Sequence, residues 1–153
     1  MAIRRLAIAW VILVVPLACN PPSGVPAPPV GLPHSAAAPG CGPADGPAIA
    51  IYLSATPLES LEPAAPYVRV DVWQSLEHLT ERPWRVAGDN RDAAALHYST
   101  ATDYIVATGG VVTVNTVRAD KTIEGSVDLS FGSARRVRGG FRAVWISRPV
   151  VCG

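Results

Sequence analysis

The chain has 153 residues, 49% of them hydrophobic, and carries 13 Lys plus Arg against 12 Asp plus Glu. That length allows about one domain beyond a leader, large enough to bury a real core. Without Arg4 and Arg5 the chain holds eleven basic and twelve acidic side chains, a balance that implies no basic face and sets nucleic acid aside as a partner.

In chain order, the first element is a leader. Arg4 and Arg5 form a positive start, Leu6 to Leu17 is an apolar run without a charge, and the small residue Ala18 precedes Cys19. A secretory leader has this build. The run falls short of the roughly 20 apolar residues that span a bilayer, so an uncleaved anchor is the weaker alternative. Residues 20–47 follow with nine prolines and five glycines and no hydrophobic periodicity. Such a composition reads as a tether that cannot bury a core.

The order Val15-Pro16-Leu17-Ala18-Cys19 resembles the lipobox of bacterial lipoproteins. The resemblance implies cleavage before Cys19 and a diacylglycerol on its thiol, and Asn20 resembles the residue that allows outer-membrane sorting in a Gram-negative cell. Pro16 and Leu17 depart from the commonest pattern, and a cleaved, secreted protein is the other reading. With Cys19 lipidated, Cys41 and Cys152 remain as a pair at the two borders of the domain. An exported compartment permits a disulfide between them, with free thiols or intermolecular pairing as the alternatives.

The domain reads as all-β. Ala48 to Leu53 is a short apolar strand, and Tyr67 to Trp73 alternates with Val68, Val70 and Val72 on one side. Ser75 to Glu81 fits one helical turn capped by Ser75, broken at Pro83. Residues 85–86, 96–98 and 104–107 are further short strands. Residues 122–131 alternate almost without fault, placing Ile123, Val127, Leu129 and Phe131 inward and Glu124 and Asp128 outward. Residues 137–145 repeat the pattern with Val137, Phe141, Ala143 and Trp145 inward, and Gly139-Gly140 marks a bulge or bend. With Val111 to Val117 before them and short turns between, these strands form a C-terminal three-stranded meander. The expected fold is a small antiparallel β-sandwich or barrel. The expected division is a signal peptide over 1–18, a lipidated cysteine and tether over 19–46, and the β-domain over 47–153.

The segments GGVVTVNTV, TIEGSVDLSFGS and RVRGGFRAVW, followed by Cys152, resemble the C-terminal meander of uncharacterised bacterial envelope lipoproteins. Gly125, Gly140, Phe141, Ala143 and Cys152 carry that likeness, which implies an address and no activity.

No nucleophile elbow, zinc-protease helix, P-loop or dinucleotide fingerprint is present. His78 reads as a surface residue and His97 as a structural histidine, and the Asp89-Asn90-Arg91-Asp92 stretch reads as a turn rather than a calcium loop. No catalytic residue, metal or cofactor is assigned. Arg136, Arg138 and Arg142 share a strand face, which suits either contact with anionic headgroups or an acidic glycan, or a solvated face. Tyr52, Tyr67, Trp73, Trp84, Tyr98, Tyr104 and Trp145 suit a core, a ligand cavity or a carbohydrate platform. The leading expectation is a membrane-anchored envelope lipoprotein with a non-catalytic binding or structural domain. Its partners would be the lipid bilayer through the anchor and an envelope protein, a glycan or a small apolar ligand. A small-ligand carrier with a barrel interior and a small secreted hydrolase are the alternatives.

Overall fold

Strand propensity and period-two patterning account for most of the fold. The computed structural model describes residues 24–58, 63–89 and 91–152. Among the described residues nine strands form: β1 (His34–Cys41), β2 (Pro47–Ser54), β3 (Tyr67–Val72), β4 (Pro83–Arg85), β5 (Ala93–Tyr98), β6 (Tyr104–Val106), β7 (Gly109–Val117), β8 (Ile123–Phe131) and β9 (Arg135–Trp145). They make one mixed sheet in the order β4-β7-β8-β9-β1-β2-β3-β5-β6. The fold is all-β, and the sheet is not closed, with β4 and β6 at its two ends. It is also not purely antiparallel. β1 and β9 run parallel, with Ala36 opposite Val144 and Ala37 opposite Trp145, and this pair joins two antiparallel halves.

The expected meander is present as β7-β8-β9, with an unbroken β8–β9 register and one shift in the β7–β8 register. Ile123, Val127, Leu129, Phe131, Phe141 and Ala143 are buried, and Trp145 packs partly buried against them. On the other half, Ile49, Ile51 and Leu53 of β2 and Val68, Val70 and Val72 of β3 point inward. The inner faces of both halves share a single apolar cluster, so the sheet curls over its own core.

Four expectations are corrected. Residues 34–41, placed in the tether, form β1 and pair along their whole length with β2. Sequence hid this strand because its side chains are small, with no apolar period to read; Ala36, Ala37 and Ala38 are nonetheless fully buried between neighbouring strands. Pro39 is tolerated there for a geometric reason. A residue's N–H and C=O point to the same neighbour in a strand. Ala37 O accepts from Ile146 N–H and Pro39 O from Arg148 Nε, so Pro39's missing donor faces the side where β9 has already ended.

Second, Gly139 and Gly140 carry no bulge, since Val127 pairs with Gly139 and Ser126 with Gly140 in unbroken register. The irregularity lies in β7, between Val114 and Thr116. The glycines instead admit another backbone. A Cβ on Gly140 would lie 2.0 Å from Pro26 O, and one on Gly139 would lie 2.4 Å from Pro29 N. Gly140 N–H donates to Ala27 O at 2.7 Å, and Leu32 enters the main core. Residues 24–33 are therefore docked onto β9, and the folded domain begins well before residue 47.

Third, Glu124 is buried, for reasons given below. Fourth, the helical turn exists as a short 3-10 turn, Leu76–His78, but Ser75 does not cap it; its Oγ meets His78 Nδ1 at 2.9 Å.

Cys41 and Cys152 form a disulfide with Cα atoms 5.7 Å apart. It closes a loop of 111 residues. In the chain-entropy model a loop of that size contributes about 4–5 kcal/mol. It pins the C-terminal segment to the last residue of β1, at the turn of the β1–β2 hairpin.

Candidate functional site

Alternation places two kinds of side chain on β3. The valines face the core, so Tyr67, Arg69 and Asp71 face outward. Register then aligns partners across neighbouring strands: Tyr52 opposite Arg69, Tyr67 opposite Tyr98, and Tyr98 opposite Tyr104. All four tyrosines of the chain meet on this outer face. Tyr67 and Tyr98 stack at 4.5 Å with planes 11° apart, and Tyr104 follows Tyr98 at 5.3 Å. Tyr52 lies 6.4 Å from Tyr67 and packs with Ala38, Ala50 and Leu58 in a second, smaller apolar cluster.

Guanidinium groups border these rings. Arg69 lies 6.0 Å from the Tyr52 ring centroid and donates from Nε and Nη2 to Asp71 Oδ1 at 2.9 and 2.8 Å. Arg148 donates to Pro39 O at 3.4 Å and also acts on Asp71 electrostatically. Burial pushes the Asp71 carboxyl up from its ordinary value, and Arg69 beside it offsets only part of that. Two permanent cations thus stand against one buried carboxylate. Tyr52, Tyr67, Arg69, Tyr98 and Arg148, with Pro63 and Ala101, line an open cavity of about 470 Å³. Its floor offers aromatic faces and its wall offers positive charge, which suits a ligand with a flat apolar side and an anionic group.

The arginine face singled out in the sequence is built otherwise. Asp128 takes both oxygens to Arg136, at 2.7 Å each, and lies 3.7 Å from Arg138. Glu124 accepts from Arg118 Nε at 2.8 Å and lies 3.5 Å from Arg142. Because Asp128 is opposite Arg138 and Glu124 opposite Arg142, the face is a cross-strand ladder of alternating sign. The two guanidinium stems also cover Glu124, which is why its side chain is only 10% exposed. The Arg118 hydrogen bond holds Glu124 below its ordinary value, and the Arg136 hydrogen bond does the same for Asp128. Arg136, Arg138 and Arg142 are therefore already engaged with acids.

His97 is 7% exposed, edge-on to Phe131, with Arg135 Nη1 at 2.9 Å from its ring nitrogens. Burial first, then Arg135, holds its pKa below the ordinary value, so it is neutral at pH 7. Asp92 accepts from Arg85 N–H at 2.6 Å and pairs with Arg82 at 2.7 Å, which makes it a loop brace; Asn90 lies outside the described residues. Among the described residues no three His, Cys, Asp or Glu side chains gather as a metal site, and no helix is long and apolar enough to cross a membrane. Cys19 and its leader lie outside the described residues.

Other aromatics are spread out. Trp84 is buried at 2% exposure under the Arg82 guanidinium, 3.6 Å away, and its Nε1–H has no partner among the described residues. Trp145 borders an open cleft of about 430 Å³ beside Ile49, Leu76 and Val150. Sequence reasoning grouped the tyrosines only as aromatics and passed over Arg69, Asp71 and Arg148. The alternation of Tyr67, Arg69 and Asp71 with three valines was a usable signal for the first two; nothing local marked Arg148.

No protein-family model, no curated protein and no solved structure matches this chain.

Proposed function

We propose that this chain is a lipid-anchored protein of the cell envelope whose β-domain is a non-catalytic binding module, and that its ligand surface is the tyrosine–arginine face. The ligand class is an acidic saccharide. The observation that carries the reading is the stack of Tyr67 and Tyr98 beside Arg69 and Arg148 around one cavity. Sugar rings present a flat C–H face that packs on aromatic rings, and a guanidinium recognises a carboxylate by paired hydrogen bonds. In this reading the curled sheet serves as a sandwich-like scaffold that presents one outer face for binding. The leader ending at Cys19 supports the anchor.

Two measurements test the halves separately. Cells fed labelled fatty acid should label the wild-type protein and not Cys19→Ser; an unlabelled wild type removes the anchor. Calorimetry with a uronic-acid oligosaccharide should give saturable binding that falls at least tenfold in Tyr98→Ala and in Arg148→Ala. Unchanged affinity in both variants removes the site. A small-ligand carrier has one observation in its favour, the cleft beside Trp145, and quenching of Trp145 fluorescence by an apolar probe would support that reading instead.

A further inference from the structure

The docking of residues 24–33 changes what an anchor at Cys19 would do. A free tether over residues 20–47, extended at about 3.1 Å per residue, would let the domain float on the order of 80 Å from its anchor. The docked segment removes most of that length. Pro29 is buried, Leu32 N–H closes a turn on Pro29 O at 3.0 Å, Leu32 sits in the core, and Ala27 is bonded to Gly140. The chain from Cys19 to Gly24 can then span only about 17 Å even when fully extended.

That reach fixes which end of the domain meets the membrane. Gly24 and Val25 border an open cavity of about 550 Å³ whose other walls include His34, Arg118, Glu124 and Arg142. Arg118 and Arg142 share Glu124, and Asp120 lies within their electrostatic reach; with Lys121 in the same turn, three cations stand against two carboxylates. This end carries a positive excess of the sign that suits anionic headgroups. The β7–β8 turn at Lys121 lies at this end. The β8–β9 turn at Ser133 lies at the other, since β8 runs between them as a single strand.

Resting on the anchor reading above, we infer that residues 24–33 act as a mounting strap: they hold the domain flush on the bilayer, with the Arg118–Arg142 end against anionic phospholipid headgroups. One consequence joins the two readings. His34, Ser54, Tyr67, Tyr98 and Tyr104 form a single row across β1, β2, β3, β5 and β6, and Ser35 Oγ accepts from Arg142 N–H at 3.2 Å. The tyrosine face therefore begins at the mounted end, within a domain's width of the membrane.

The test uses the full, lipidated chain in vesicles containing anionic phospholipid and a headgroup-labelled acceptor dye. A donor dye is placed through p-azidophenylalanine at Lys121 or at Ser133, which leaves the cysteines intact. The expected result is energy transfer at least threefold stronger from position 121 than from position 133. Gly140→Val puts a side chain where Pro26 lies and should abolish the difference. A twenty-residue Gly/Ser insertion between Asn20 and Pro21 changes none of residues 24–152 and should also reduce it, so the outcome stands even where Gly140→Val fails to fold. Wild-type protein that does not float with the vesicles overturns the anchor reading and this one with it. Protein that floats and transfers equally from both positions overturns the mounting alone.

Discussion

Single residues decide several features that patterning cannot. Gly125 is one. A Cβ there would lie 2.1 Å from Thr113 O and 2.8 Å from Phe141 Cζ, so the Phe141 ring occupies the place of a side chain. Phe141→Ala should therefore destabilise the domain by about 3–5 kcal/mol, read from urea unfolding midpoints. Glu124 is another. Strict alternation put it outward, and it is outward, but Arg118 and Arg142 cover it; sequence shows the face of a residue and not the cover a neighbouring strand supplies. Its lowered pKa sets a pH dependence. The contribution is present above the ordinary glutamate value near 4.3 and is lost as pH falls through the lower folded value. Asp71 acts in the opposite direction, because its raised pKa favours the acid form in the fold. Thermal midpoints measured from pH 2 to 7 should show a shallower acid-side fall in Glu124→Gln than in wild type. An identical acid limb in the two proteins would contradict the pairing.

At the scale of elements, legibility followed side-chain size. β3, β8 and β9 were readable because large apolar residues alternate with polar ones. β1 was not, because its sequence HSAAAPGC holds only small residues and a proline, the composition of a linker. Its burial is imposed from outside by β2 and β9, and small side chains are what a strand enclosed on both sides can accommodate. The same holds for the docked segment, whose prolines signalled a tether while two glycines on a distant strand made room for it. Backbone amides of Ala36 and Ala38 should accordingly exchange as slowly as those of Val68 and Val70, far from the rapid exchange of a tether. Leu32→Ala should cost about 2–4 kcal/mol of global stability. Fast exchange across 34–41 with no loss of stability in Leu32→Ala would restore the tether.

For the molecule as a whole, the parallel β1–β9 contact and the Cys41–Cys152 bridge hold the first strand beside the last strand and the C-terminal segment, and the inner faces of both sheet halves fill a single core. What is left for function is on the outside: a ladder of satisfied ion pairs on β8–β9 and a tyrosine–arginine cavity on β2–β3–β5. The first was visible in the sequence as an arginine cluster and as outward Glu124 and Asp128 on the preceding strand, but the register that pairs them was not. The second needed the register of three strands and a residue from the C-terminal segment to assemble. These two faces make opposite predictions for one experiment. Titration of ¹⁵N-labelled protein with a uronic-acid oligosaccharide, followed by amide chemical shifts, should move residues around Tyr52, Tyr67, Arg69, Tyr98 and Arg148 and leave Arg136, Arg138 and Arg142 in place. No saturable shifts, or shifts centred on Arg136, Arg138 and Arg142, would contradict the assignment of the binding face.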